Sequence, residues 1–184
     1  MIQKPKILAK STVARSRLFH IEALELEFSN GEQRNYERLI RGAGCGAVLV
    51  VPLLDNETVL LVREYGAGLD RYELGLPKGK LDPGEDYMAA ANRELKEEIG
   101  YGAKKLQHIM ELSLAPSYME HSIDVVIAMD LYQEKLPGDE PEELQVVPWK
   151  IDDIPGLLAS GECSEARSIA ALYLTLDYLN RRRE

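Results

Sequence analysis

The sequence predicts an α/β protein, an α/β/α sandwich built on a mixed sheet with an N-terminal β-hairpin region, and three observations carry that expectation. Short apolar runs of strand length stand on both sides of a helical stretch near the middle of the chain. A second, longer amphipathic stretch closes the sequence. The residues before position 43 have an alternating pattern of their own, so a hairpin region over 1–42 and a main domain over 43–184 are expected.

RLFHIEALELEF and EQRNYERL flank Ser29-Asn30-Gly31, two extended runs about a turn for which Gly31 supplies the positive φ. An isolated hairpin is marginal in water. It therefore packs on a partner surface, either a second copy of the chain or its own domain. GAVLVVPLL, TVLLVREY and the shorter RYELGL read as buried strands. From about Tyr87 to Ile99 the spacing turns helical, with Asp86 as N-cap and Gly100 ending the helix in a left-handed turn. Strands return in KLQHIMELSL and SIDVVIAMDLY. The acidic loop PGDEPEEL follows, then Trp149 at a strand end, a short helix from Ile154 to Ala159 and a last helix from about Ser164 to Asn180.

Composition narrows the classes of function. The 184 residues are 45% hydrophobic and 29% charged, enough for one well-buried core. A net charge of -9 repels polyanions, and the basic run Arg181-Arg182-Arg183 does not offset it, so nucleic acid is not an expected partner. Cys45 and Cys163 lie far apart without ligand spacing; they read as small core residues in a reducing compartment. No run is long and apolar enough to span a bilayer, so the expected location is cytoplasmic with no membrane partner. His20, His108 and His121 are scattered and read as packing or surface residues.

The chemistry concentrates in the central helix. At about 100° per residue, Met88, Ala91, Leu95 and Ile99 form an apolar stripe, while Glu94, Glu97 and Glu98 share another side. Like charges four apart disfavour a helix by roughly 0.2 to 0.5 kcal/mol, a sign that a hard divalent cation would reverse. Arg93 is placed to pair with Glu97. A Glu-rich helix face is usually only solvated, but here a Gly/Pro-bearing turn, Gly79 to Glu85, leads directly into it.

The stretch GKLDPGEDYMAAANRELKEEIGY resembles the Nudix box, with Gly79, Glu85, Arg93, Glu94, Glu97, Glu98 and Gly100 at its fixed positions and Leu95 at the internal aliphatic one. With residue usage near 6%, seven such positions coincide by chance on the order of once in 10⁸ to 10⁹ windows. Tyr101 stands where the pattern usually has an aliphatic residue and reads as a packing variant.

The resemblance implies a Nudix-type sandwich that splits nucleoside diphosphates linked to another group. It implies Glu94, Glu98 and Glu97 as ligands of Mg²⁺, for which Mn²⁺ substitutes, with the Gly79 carbonyl completing the set. Arg93 and Glu85 orient the acids, and metal and side chains together activate a water. It further implies a loop glutamate as base, Glu140 first and Glu142 next; a merely solvated loop is the other reading. Pro116, fifteen residues beyond Tyr101, is placed as in hydrolases of ADP-ribose, or it is a simple turn former. Leu76-Pro77-Lys78-Gly79 and Tyr118 resemble instead the hydrolases of diadenosine polyphosphates. Arg63 is either a phosphate contact or a surface ion pair.

Across TVARSRLF, LEFSNG, REYGAGLDRYELG, APSY, GDEPE and SEARS the chain resembles the branch of the family that hydrolyses ADP compounds. The implied substrates are small nucleotides, namely ADP-ribose, NADH and diadenosine oligophosphates, with AMP released by a homodimeric enzyme. A narrow ADP-ribose pyrophosphatase and a noncatalytic nucleotide sensor are the alternatives.

Overall fold

The computed structural model describes residues 2–41 and 46–182. The chain divides into two compact units, one of Met1–Cys45 with Ser113–Ser122, the other of Gly46–Leu112 with Ile123–Glu184. The expected boundary between 42 and 43, and Cys45, fall outside the described residues.

The first unit holds a three-stranded antiparallel sheet rather than a lone hairpin: β1 (Lys6–Arg15), β2 (His20–Glu27) and β3 (Gln33–Leu39), in that spatial order. β2 and β3 are the two expected runs, paired from Ile21↔Leu39 to Glu27↔Gln33. Their turn has Gly31 at φ +83, with its N–H donating to Phe28 O at 2.9 Å. β1 went unassigned because KILAKSTVAR is exposed along its whole length and its register is broken by two irregularities against β2. The segment Ser113–Ser122 joins this unit through main-chain bonds: Leu39 N–H donates to Tyr118 O and Glu120 N–H to Leu39 O, both at 2.8 Å.

In the second unit the sheet β7-β4-β9-β8 comprises β7 (Lys78–Lys80), β4 (Ala47–Pro52), β9 (His121–Gln133) and β8 (Tyr101–Leu114). β4 is antiparallel to β7 and parallel to β9, so the sheet is mixed. A strand covered on both faces needs no polar alternation, and AVLVVP is buried at every position. Helix α1 (Tyr87–Glu98) and helix α3 (Ala166–Arg181) both pack against β4. Val48, Val50, Val126 and Ala128 of the sheet meet Ala90, Ala91, Leu95 and Ile99 in one apolar cluster. Complete burial of Leu95 contributes about 1.5 to 3 kcal/mol. Tyr101 packs on the edge of this cluster.

A second, antiparallel sheet has the order β10-β5-β6, with β10 (Gln145–Lys150), β5 (Thr58–Gly66) and β6 (Arg71–Gly75). The short helix α2 (Ile154–Ala159) follows β10 as expected. The last helix begins two residues later than its pattern indicated, because Glu165 caps it by accepting from the N–H groups of Arg167 and Ser168. Trp149 lies inside β10, half-buried, its Nε1 donating to Asp153 O at 3.0 Å. Cys163 is buried, as expected.

Two further strands depart from expectation. Residues 78–80 pair with β4 as β7, so Gly79 and Lys80 belong to a strand and not to the turn that runs to Glu85, and residues 101–104 extend β8. Neither stretch shows an apolar alternation: residues 78–80 are defined by edge pairing, and in 101–104 the buried pair Gly102 and Ala103 are adjacent.

Candidate active site

Helix α1 delivers its carboxylates at a defined place because both ends are fixed. Asp86 accepts from Met88 N–H at 2.9 Å and Ala89 N–H at 2.8 Å, and Gly100, at φ +74, turns the chain away. Glu97 and Glu98 therefore occupy the last turn, at the negative pole of the helix, with Glu94 one turn before Glu98. Acids there are destabilising by about 0.3 to 1 kcal/mol each, so local cations have to offset them.

Arg93 is the first such cation. Its Nη1 donates to Glu94 Oε1 at 2.8 Å and to Glu97 Oε2 at 2.9 Å. Nη2 donates to Glu85 Oε2 at 2.9 Å and to Lys80 O at 2.8 Å, while Nε reaches Glu85 Oε1 at 3.1 Å. A planar fork with five donors can hold three carboxylates and a carbonyl at once, which an ammonium cannot. The Arg93 guanidinium holds the Glu85 carboxyl below its ordinary pKa, and Glu85 also accepts from Asp82 N–H at 2.9 Å, closing the turn into the helix.

Gly79 explains the depth of the site. A Cβ at this position would stand 1.9 Å from Glu94 Oε1, so the Glu94 carboxylate occupies the space that any side chain there would fill. Glu94 is thus buried rather than presented to solvent, and burial raises its pKa despite Arg93. Glu98 is the more extreme case. Burial, opposed by Lys78 and reinforced by Glu94, pushes it up to about 8. Its Oε1 accepts a long bond from Lys78 N–H at 3.3 Å, and its buried Oε2 has no hydrogen-bond partner.

Residues from two other elements reach the same place. Glu64 of β5 pairs with the Lys78 ammonium. The loop after β9 brings Gly138 against the backbone of Glu97, and the Asp139 charge raises the Glu94 pKa. Partial desolvation, then the charges of Glu64 and Asp139, raise the pKa of Glu140, with Lys78 opposing. Glu64, Lys78 and Asp139 were not singled out from sequence. Alternation along β5 puts Glu64 on the opposite face from Arg63, a usable signal once the strand is recognised.

The other expected residues lie as follows. Arg63 Nη2 meets Glu162 Oε2 at 2.5 Å and Nε donates to Gln145 Oε1 at 3.0 Å, the surface ion pair that was one of its two readings. Glu142 accepts from Tyr72 Oη at 2.6 Å. Pro116 and Tyr118 belong to the segment that groups with the N-terminal unit; Tyr118 is exposed. His108 binds Asp124 at 2.8 Å and stacks on Tyr87, and His20 binds Thr12 at 3.0 Å, both as packing residues.

The donor set fits a hard divalent cation. Glu98 Oε2 is buried and orphaned, which costs about 1 to 3 kcal/mol unless something binds it. Glu94 adjoins it, and the missing side chain of Gly79 leaves room for close approach. In this arrangement Arg93 occupies Glu94 and Glu97, and among the described residues no three acids are yet gathered at ligating distance.

Comparisons with known proteins bear on the family and the fold. Residues 45–171 match the NUDIX domain, and residues 5–38 match the NudE-type Nudix hydrolase N-terminal domain. ADP compounds hydrolase NudE of Escherichia coli (strain K12) is 49% identical over 178 residues, 97% of this chain and 95% of that protein. ADP-ribose pyrophosphatase of Bacillus subtilis (strain 168) is 32% identical, covering 93% of this chain and 95% of its own. A crystal structure of an ADP compounds hydrolase superposes with a TM-score of 0.92 at 48% identity, covering 99% of this chain and 97% of the other.

Proposed function

The chain belongs to the Nudix family, and from that premise we propose that it is a pyrophosphohydrolase of ADP compounds, cleaving ADP-ribose, NADH and diadenosine oligophosphates to release AMP. The observation that carries the reading is the helix face on which Glu98 keeps a buried, unpartnered oxygen beside Glu94 and Glu97. Glu94 and Glu98 would hold the cation, with Glu97 a further ligand and the Gly79 carbonyl completing the set. Mg²⁺, or Mn²⁺ in its place, would supply charge to neutralise phosphate oxygens and to acidify a water.

The remaining work falls to side chains of this protein. Arg93 and Glu85 hold the acids on one side of the helix, and Arg93 gives up its bonds to Glu94 and Glu97 when these turn to a cation. Glu140, whose raised pKa suits proton acceptance nearer neutrality, takes the proton from the attacking water. The same reading includes a cytoplasmic location and a homodimer, the latter supported by Ile7, Leu8, Val13 and Phe19, which the N-terminal unit leaves exposed.

Incubation with ADP-ribose, NADH and diadenosine triphosphate, with product masses read with and without magnesium, tests the proposal. AMP from all three, abolished by chelator, is the expected result. AMP from ADP-ribose alone would favour the narrower pyrophosphatase, toward which the placement of Pro116 points. Binding without turnover would overturn the enzymatic reading.

A further inference from the structure

We propose that Tyr72 is a positioning residue for this reaction: through Glu142 its phenol ties down the loop that carries Glu140. The inference rests on the hydrolase reading and concerns what holds the base in place.

The loop runs from the end of β9 to the start of β10, and its anchors are unevenly distributed. On entry, Glu134 N–H donates to Gly100 O and Leu136 N–H to Lys96 O, each at 3.0 Å. Gly138 then lies so close to the helix that an added Cβ would stand 3.5 Å from Glu97 O. On exit, Glu143 pairs with Lys135, and Leu144 packs on the core cluster. Between these anchors no hydrogen bond or ion pair among the described residues holds Asp139, Glu140 or Pro141. The 2.6 Å bond from Tyr72 Oη to Glu142 Oε1 is what attaches this middle portion to a sheet, two residues from Glu140.

The donor, although half exposed, has partners of its own on the sheet. Tyr72 lies directly opposite Tyr65 in the β5–β6 register, and their rings meet edge-on with centroids 5.4 Å apart at 64°. Tyr65 Oη donates in turn to Asp70 Oδ1 at 2.5 Å. Asp70 occupies the left-handed region at φ 56, which fixes the turn between the two strands. A relay therefore runs from the turn through two phenols in edge-to-face contact to the loop. A phenol suits this place because it donates a strong bond to a carboxylate without adding charge. It follows that Glu142, although acidic and close in sequence to Glu140, is the tethered member of the loop and Glu140 the free one.

Steady-state kinetics on ADP-ribose with saturating magnesium test this in the full-length chain. Tyr72→Phe keeps the ring and removes only the hydroxyl; we expect kcat to fall about five- to tenfold, the scale of one charge-assisted hydrogen bond, with KM and Tm little changed. Glu142→Ala should reproduce that loss and Glu142→Gln, which keeps an acceptor oxygen, should recover most of it. The double variant Y72F/E142A should be no slower than either single one, and Y72F should add nothing in an E140Q background. Turnover by Y72F within twofold of wild type would overturn the inference while leaving the hydrolase reading intact, as would a change in KM alone. A wild-type chain that releases no AMP overturns the hydrolase reading, and the tether with it.

Discussion

Replacing Glu98 by Gln separates stability from function in a way the structure makes quantitative. Glu98 titrates at about 8 in the fold against an ordinary 4.5, so the folded state binds the proton more tightly than the unfolded chain does. A carboxyl whose folded pKa is raised contributes stability at low pH that is lost as pH climbs from the unfolded value to the folded one. At about 1.4 kcal/mol per pH unit, that loss has a ceiling of about 3 to 4 kcal/mol between pH 5 and pH 8 in metal-free protein. Water entry and movement of the Glu98 side chain reduce it, so about 2 kcal/mol is a reasonable realised value.

Glutamine has the same shape and never ionises. Acids that do not interact with Glu98 cancel in the difference between the two proteins, and loss of the repulsion with Glu94 acts in the same direction as loss of the Glu98 charge. In thermal melts with chelator present, wild type and E98Q should agree near pH 5. By pH 8 E98Q should melt about 4 to 8 °C higher, since 1 kcal/mol corresponds to roughly 2 to 4 °C at this chain length. Magnesium should raise the wild-type Tm at pH 8 and leave E98Q almost unmoved, and E98Q should have lost metal-dependent turnover. A Tm difference that does not change with pH, or a wild type more stable than E98Q at pH 8 without metal, would refute the argument.

Gly79→Ala places a methyl group where the Glu94 carboxylate now lies. We expect circular dichroism and Tm close to wild type, because a flexible side chain can swing aside, and kcat reduced at least a hundredfold. Arg93→Lys keeps the charge but cannot serve Glu85, Glu94, Glu97 and Lys80 O together; denaturant titration should show about 1 to 3 kcal/mol lost, with weaker magnesium binding by calorimetry. Glu140→Gln should lower kcat by more than tenfold at saturating magnesium while leaving the magnesium affinity near that of wild type; a smaller drop removes Glu140 as the base.

The central helix was legible in the sequence because everything that defines it is local. Apolar spacing, the Asp86 cap and the Gly100 stop lie within one stretch, and the arrangement of Glu94, Glu97 and Glu98 follows from helical geometry alone. The same holds for the turn at Gly31 and for strand β4, whose unbroken apolar run announces burial on both faces.

Tertiary structure decided what depends on distant segments meeting. Glu64 and Lys78 are fourteen residues apart and reach one another through strand placement; alternation gives the face of Glu64 but not its partner. The Glu-rich face reads as exposed from helical spacing; only the packing of β7 over it buries Glu94 and orphans an oxygen of Glu98. Ser113–Ser122 joins the N-terminal unit through bonds to Leu39, a pairing across more than seventy positions. Side-chain periodicity specifies which way a residue points along its own element, whereas register and burial are set by the free energy of the whole assembled core, to which no short stretch of sequence has access.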